Sequence, residues 1–237
     1  MAQQPRYAQT PTTGGAPAAL APSASSSAAT TSTKIGDRAF DKIEKTSAEF
    51  FAITYGALVR QMFIDHNERA DIVNTQLDQM GERIGVRLIE EYAARSGAPP
   101  CRSPAQAADS VAKIGLKMFN PQRPSQWLQP PRSSGPVSSS TGAAIGDAAN
   151  GSNGGAVYSI SFDENPLNVF VELPDALRQT LWYSNVLCGV IRGGLQQVGF
   201  VTLVWYVRDV LRGDDVNEIR IQFQGKERET FKVDMQK

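Results

Sequence analysis

The chain has 237 residues, with 24 Lys plus Arg against 24 Asp plus Glu, one histidine and two cysteines. A net charge of zero leaves no basic excess to neutralise phosphates, so no nucleic-acid partner is expected. Two cysteines make no disulfide framework, which favours a cytoplasmic protein. The N-terminus lacks the apolar core of a signal peptide. The longest apolar run, 198–207, falls far short of the ~20 residues of a membrane span, so any membrane association is expected to be peripheral, through a lipid or a partner.

Residues 1–33 are almost all Ala, Ser, Thr, Pro, Gly and Gln. They carry too little apolar surface to offset the entropy of ordering, so a disordered tail is expected over 1–38. A single α+β domain is expected over 39–224, followed by a C-terminal tail at 225–237. A second low-complexity block at about 130–156, "PPRSSGPVSSSTGAAIGDAANGSNGGA", is too long for a structureless loop of a compact domain and reads as a disordered insertion.

The first half of the domain is helical. "TSAE" at 46–49 is a capping box in which Thr46 accepts from the Glu49 amide. Phe50, Phe51, Tyr55, Leu58, Met62 and Phe63 then recur at helical spacing. Asp71 is placed to cap a second helix, whose stripe is Val73, Leu77, Met80, Ile84, Leu88 and Tyr92. Gly97 ends it in the left-handed conformation that closes many helices. Gly81 and Gly85, four residues apart, form a notch that lets another helix approach closely, within the subunit or across a dimer. A third helix opens at "SPAQ", with Ser103 as cap, Pro104 in the first turn and Gln106 closing the box. Its apolar stripe is Val111, Ile114, Gly115 and Met118.

The second half is mixed. "VYSISF" (157–162) and "NVFVEL" (168–173) read as a hairpin across "DENP". Residues 181–198 have helical spacing but contain Gly189, Gly193 and Gly194. Each interior glycine costs roughly 1 kcal/mol against alanine, which points to the close approach of another backbone or of a ligand, and most simply to a buried core helix packed tightly on a sheet. "TLVWYVRDVL" and "VNEIRIQFQ" follow as two strands joined by "RGDD". Ile219, Ile221 and Phe223 alternate with Glu218, Arg220 and Gln222, the pattern of a half-buried antiparallel sheet. Together these elements predict a twisted antiparallel sheet with helices packed on one face.

No catalytic constellation accompanies this fold. The single histidine, His66, lies at a helix end among Asp65, Asn67 and Glu68. No Cys/His spacing fits a zinc site, and neither GxGxxG nor a P-loop occurs. Cys188, between Leu187 and Gly189, reads as a small buried apolar residue. Cys101 stands apart, in "GAPPCRSP" (97–104), just before the third helix. There the helix dipole favours an anion. Arg102 adds positive charge, and Pro99 and Pro100 stiffen the loop.

The stretches "FFAITYGALVRQ", "LDQMGERIGVRLIEEYAARS", "AADSVAKIGLKMF", "NPLNVFVELPD", "LWYSNVLCGVIRGGLQQV" and "GDDVNEIRIQF" closely resemble the TRAPP complex small subunits of the Bet-three type, in order, from about 47 to 224. The resemblance implies a non-catalytic scaffold subunit of a vesicle-tethering complex, working in ER-to-Golgi transport at the cis-Golgi and endoplasmic reticulum. It implies a contribution to nucleotide exchange on a Rab GTPase. It also implies pairing through the N-terminal helices, as a homodimer in isolation and as a heterodimer with related small subunits; Leu58, Met62, Leu77 and Ile84 are the residues placed at that contact. Finally it implies a deep apolar tunnel with a palmitoyl group on Cys101, lined by Gly115, Val111 and Met118, and no catalytic residue, metal or free cofactor. An alternative on the same fold is a stand-alone small-ligand (lipid) binding domain.

Overall fold

The computed structural model describes residues 24–119, 126–129 and 155–226. Four antiparallel strands, β1 (Gln126–Gln129), β2 (Val157–Phe162), β3 (Phe200–Arg208) and β4 (Asn217–Lys226), form a sheet in the order β1-β2-β4-β3. Burial alternates along β3: Phe200, Thr202, Val204 and Tyr206 face inward, while Val201, Leu203 and Trp205 face out. Ile219, Ile221 and Phe223 of β4 are all buried, as their spacing predicts, and join Ala107, Ala108, Cys188 and Ile191 in one core. Helices α2 (Ala48–Asp65), α3 (Ala70–Ser96), α4 (Pro104–Ser110) and α7 (Val186–Gln197) are the main ones of this α+β domain, with the single-turn α6 (Asp175–Arg178) before α7.

The glycines predicted to allow close approach do so between α3 and α7. A Cβ on Gly81 would lie 2.0 Å from the Val186 carbonyl oxygen, and one on Gly189 would lie 2.0 Å from that of Asp78. The notch is therefore filled from within the subunit. Arg192 flanks the contact, donating from Nη1 to Asp78 and from Nη2 to Glu82, both at 2.9 Å. Helix α7 starts at Val186 rather than Leu181. The reason is Asn74 of α3, whose side chain accepts from the Trp182 amide and donates to the Thr180 carbonyl, both at 2.8 Å, and so commits that backbone to a non-helical path.

Four expectations are corrected. The polar tail is helical before residue 38: α1 spans Ala24–Lys42. It docks because Gly36 lies against the Lys113 carbonyl, where a Cβ would come within 2.2 Å, and because Ala39 buries against Ile114 and Met118. The cap of α2 is Ser47, one residue later than Thr46; its Oγ accepts from the Phe50 amide at 3.1 Å. Helix α3 is preceded by Arg69, which pairs with Asp71 at 2.8 Å, so Asp71 sits in the first turn and is not the cap. The stretch 168–173 is no strand: β2 pairs with β4, and 166–170 form turns. The insertion, apart from its last two residues, lies outside the described residues, as does the tail beyond Lys226.

The turns after β2 follow from a buried polar chain. Asn165 Oδ1 accepts from the Leu167 amide at 3.1 Å, and its Nδ2 donates to Ser184 Oγ at 2.8 Å. Ser184 donates in turn to Asn168 Oδ1 at 2.8 Å, and Asn168 Nδ2 reaches Asp209 Oδ1 at 3.4 Å. These bonds use the local polar groups in place of a strand ladder. Burial above all raises the Asp209 carboxyl from its ordinary 3.8, against the lowering effect of the Leu211 amide and Arg212. The folded chain thus holds this proton more tightly than the unfolded one. Stability is highest below the ordinary value and falls as pH rises through the raised one. Asp209→Asn keeps an acceptor for Leu211 and is expected to flatten this dependence from about pH 4 upward, melting no lower than wild type once the wild-type carboxyl has ionised. Thermal melts across that range check it; an unchanged slope refutes it.

Candidate functional site

One large apolar cavity, of about 560 Å³, lies between the helices. Its size falls within the ~300–1,000 Å³ typical of small-molecule pockets. Helix α2 contributes Phe51, Tyr55 and Leu58; α3 contributes Ile84, Leu88 and Tyr92; α7 contributes Val190, Ile191 and Leu195. The glycine contact described above places α7 flush against α3, so both helices present aliphatic side chains to the same space. The loop held by Asn165 supplies Pro166 and Leu167.

Cys101 stands at this cavity with Ala107 and Ser110 of α4. Gly97, with φ of +59°, turns the chain out of α3, and Ser103 accepts from the Gln106 amide at 3.3 Å to start α4, so the thiol is held between two defined helix ends. The Gln106 side chain also accepts from the Arg102 amide at 2.9 Å, fixing the loop next to the cysteine. The Cys101 thiol, part-exposed, donates to Ser110 Oγ at 3.2 Å. The second cysteine, Cys188, is fully buried beneath the sheet, and burial pushes its thiol well up from the ordinary range. It is an inert core residue, as its apolar neighbours predict.

After α4 the backbone widens into one turn of π-helix, Val111–Gly115, before α5 (Leu116–Phe119). Such turns insert one extra residue and concentrate at functional sites. Here Val111 and Gly115 of the widened turn line the cavity, while Ala112 and Ile114 are buried in the core. A Cβ on Gly115 would meet nothing closer than 3.7 Å, so open space lies in front of it.

Cys101, Val111 and Gly115, which the resemblance implies belong to one site, all line this cavity. Met118 is corrected: it is 3% exposed and turned away from the cavity, packed with Ala39 and Ile114 beneath α1. Leu77 is also corrected. It is wholly buried in the chain's own core with Val73, Tyr55 and Leu181, so it has no surface to offer a partner. Leu58 and Ile84 are 42% and 41% exposed and line the cavity rim, and Met62 is half-buried against the Tyr55 cluster. Tyr92 and Ser110 are cavity residues that spacing alone did not single out: Tyr92 reads as one more member of the α3 stripe, and Ser110 as a polar helix position. Among the described residues no cluster of His, Cys, Asp and Glu could hold a metal, and no helix is long and apolar enough to cross a membrane.

The fold and site define a small α+β domain whose helices line an apolar cavity with a thiol in its wall. Residues 51–222 match the family described as transport protein particle (TRAPP) component, and the chain belongs to that family. It is 39% identical over 191 residues to the transport protein particle subunit bet3 of Schizosaccharomyces pombe, covering 81% of this chain and 91% of that one. It is 36% identical over 182 residues to the trafficking protein particle complex subunit BET3 of Saccharomyces cerevisiae, covering 77% and 83%. A crystal structure of a trafficking protein particle complex subunit 3 from Naegleria fowleri covalently bound to palmitic acid superposes with a TM-score of 0.62. It is 38% identical and covers 77% of this chain and 98% of that one.

Proposed function

We propose that this chain is a non-catalytic core subunit of a vesicle-tethering complex acting in ER-to-Golgi transport, and that it carries a long acyl chain on Cys101 inside its cavity. The observation that carries the acyl reading is the placement of the only part-exposed thiol at an apolar cavity of about 560 Å³. The covalently bound palmitic acid of the Naegleria relative supports the same reading. About fifteen apolar carbons moved from water into such a space contribute roughly 12 kcal/mol at ~0.8 kcal/mol per methylene. That outweighs the ordering of a flexible chain, so the acyl group stays inside.

Membership of the family supports assembly with related small subunits and, through the assembled complex, a contribution to nucleotide exchange on a Rab GTPase at the cytoplasmic face of Golgi and ER membranes. The contact surface we assign is made of Phe50, Ile53 and Ile64 on the outer side of α2 together with Leu58 and Ile84 at the cavity rim, all more than 40% exposed. Large exposed apolar side chains of this kind mark an interaction site. Alone, the chain is expected to form a homodimer at micromolar concentration. Leu58→Glu with Ile84→Glu is expected to give folded monomers by light scattering; wild-type monomers refute the pairing.

Intact mass spectrometry of protein from a eukaryotic host tests the acyl reading. The mass is expected to exceed that of the polypeptide by a fatty-acyl group and to return to it after hydroxylamine. An unmodified mass refutes it. Purification from its own cells is expected to bring a multi-subunit particle, whereas a chain recovered alone with free lipid indicates a stand-alone lipid-binding domain.

A further inference from the structure

We propose that the Tyr92 hydroxyl, assisted by that of Ser110, holds the carbonyl oxygen of the Cys101 thioester by hydrogen bonds, giving the one polar group of the acyl chain a fixed seat. This inference rests on the acyl reading above. Its basis is the bookkeeping of hydrogen bonds around the cavity. The polar side chains that line it, among the described residues, are Thr54, Tyr55, Tyr92, Cys101, Ser110 and Asn165. Thr54 donates to the Phe50 carbonyl at 2.7 Å, and Tyr55 donates to the Tyr183 carbonyl at 2.6 Å. Asn165 is committed to Ser184 and Leu167. The Tyr92 hydroxyl alone among these is buried without a hydrogen-bond partner. A buried donor left unsatisfied is destabilising, and each such group in a folded protein calls for an explanation.

The position of Tyr92 supplies one. Its ring packs against the Ala39, Ile114 and Met118 cluster under α1, which keeps the side chain from swinging into solvent. Burial raises its pKa, with Ser110 acting to lower it and the Cys101 thiol acting to raise it, so the phenol stays a neutral donor close to both groups. Ser110 and Ser96 both lie near enough to the Tyr92 hydroxyl to lower its pKa, neither is hydrogen-bonded to it, and Ser110 instead accepts from the Cys101 thiol at 3.2 Å.

Acylation reverses these roles. A long-chain acyl thioester donates its acyl group: the Cys101 Sγ–carbonyl carbon bond forms, the donor's own carbon–sulfur bond breaks, and the proton given up by Cys101 ends on the departing thiol. Sγ then has no proton to offer Ser110, whose hydroxyl is free to donate. A carbonyl oxygen has entered the space that these two hydroxyls border. Tyr92, orphaned while the thiol is free, gains an acceptor once the thioester is present.

The test uses full-length protein acylated with [1-¹³C]palmitoyl-coenzyme A, as wild type and as Tyr92→Phe and Ser110→Ala. The ¹³C carbonyl resonance is expected to move upfield in Tyr92→Phe, and less in Ser110→Ala, with acyl occupancy by mass unchanged. A second readout separates this from a packing role. Tyr92→Phe is expected to lower the melting temperature of acylated protein, and to leave it unchanged or raise it in the Cys101→Ala background, where the orphan hydroxyl is simply removed. An identical resonance and the same sign of effect in both backgrounds overturn this inference alone. Wild-type protein that takes up no label overturns it together with the acyl reading.

Discussion

Gly81→Ala is expected to cost about 3 kcal/mol, the upper part of the range for overpacking a core. In a chain of this size that is a fall of roughly 10 °C in melting temperature. The magnitude comes from what the new methyl would meet. It would lie 2.0 Å from the Val186 carbonyl oxygen and 2.9 Å from the Val190 amide nitrogen, both backbone atoms of α7 that no rotamer change can move. The two helices must separate, and α7 is also packed on β3 through Ile191 and Leu195, so the separation disturbs the central core. Helix propensity works the other way, since alanine gains up to ~1 kcal/mol over glycine inside a helix, and the close approach must outweigh it. Gly194→Ala in α7 is the internal control, because its methyl would stand 3.8 Å from the Gly85 carbonyl oxygen, an ordinary contact, and the propensity gain survives. Gly81→Ala combined with Gly189→Ala is expected to cost less than the sum of the two, since one separation of the same helices relieves both overlaps. Thermal unfolding followed by circular dichroism decides the matter: a Gly81→Ala protein melting within about 2 °C of wild type would mean that the α3–α7 contact yields at little cost.

What was legible in the sequence depended on whether a residue's own neighbours in the chain decide its structure. Helices α2 and α3, the αL glycine at Gly97, the Ser103 cap and the burial of Ile219, Ile221 and Phe223 in β4 rest on local periodicity and local chemistry, and each is found where the spacing puts it. The stretch 168–173 failed because its alternation is overruled by partners far along the chain, Ser184 and Asp209, which the β pattern cannot reveal. Helix α1 failed for the same reason. Its composition is that of a disordered tail, and it is docked by Gly36 and Ala39 against a turn some eighty residues away. The site shows the same division. Cys101 drew notice as an isolated thiol between prolines, but the π-helical turn that aims Gly115 at the cavity has no local signature. Leu77 and Leu58 lie on neighbouring stripes with the same spacing, and only packing makes the first a core residue and the second a rim residue.

Gly115→Leu is expected to empty the cavity of lipid without unfolding the chain, and the reasoning is the inverse of that for Gly81. At Gly81 the added atom meets backbone; at Gly115 the nearest atom is the Ser110 carbonyl oxygen at 3.7 Å, an ordinary contact, and beyond it lies the apolar space itself. A leucine side chain there enters a wall of Val111, Ile191 and Leu195 and fills volume that an acyl chain would occupy. Burying the new methylenes offsets part of what the lost acyl chain contributed, at ~0.8 kcal/mol each, and leucine is also the better helix former. Cys101→Ser removes the attachment point but leaves the cavity in place, unfilled by any side chain. An unfilled apolar space forfeits the dispersion contacts of its lining and destabilises in proportion to its volume. The two variants should therefore share an unmodified mass and differ in stability, with Gly115→Leu melting above Cys101→Ser and remaining competent to pair through α2. Intact mass, melting temperature and light scattering on the two proteins read out each part. A Gly115→Leu protein that still carries the acyl group would place the chain along another path through the cavity, and one that melts below Cys101→Ser would show that the π-helical wall has no room for the side chain.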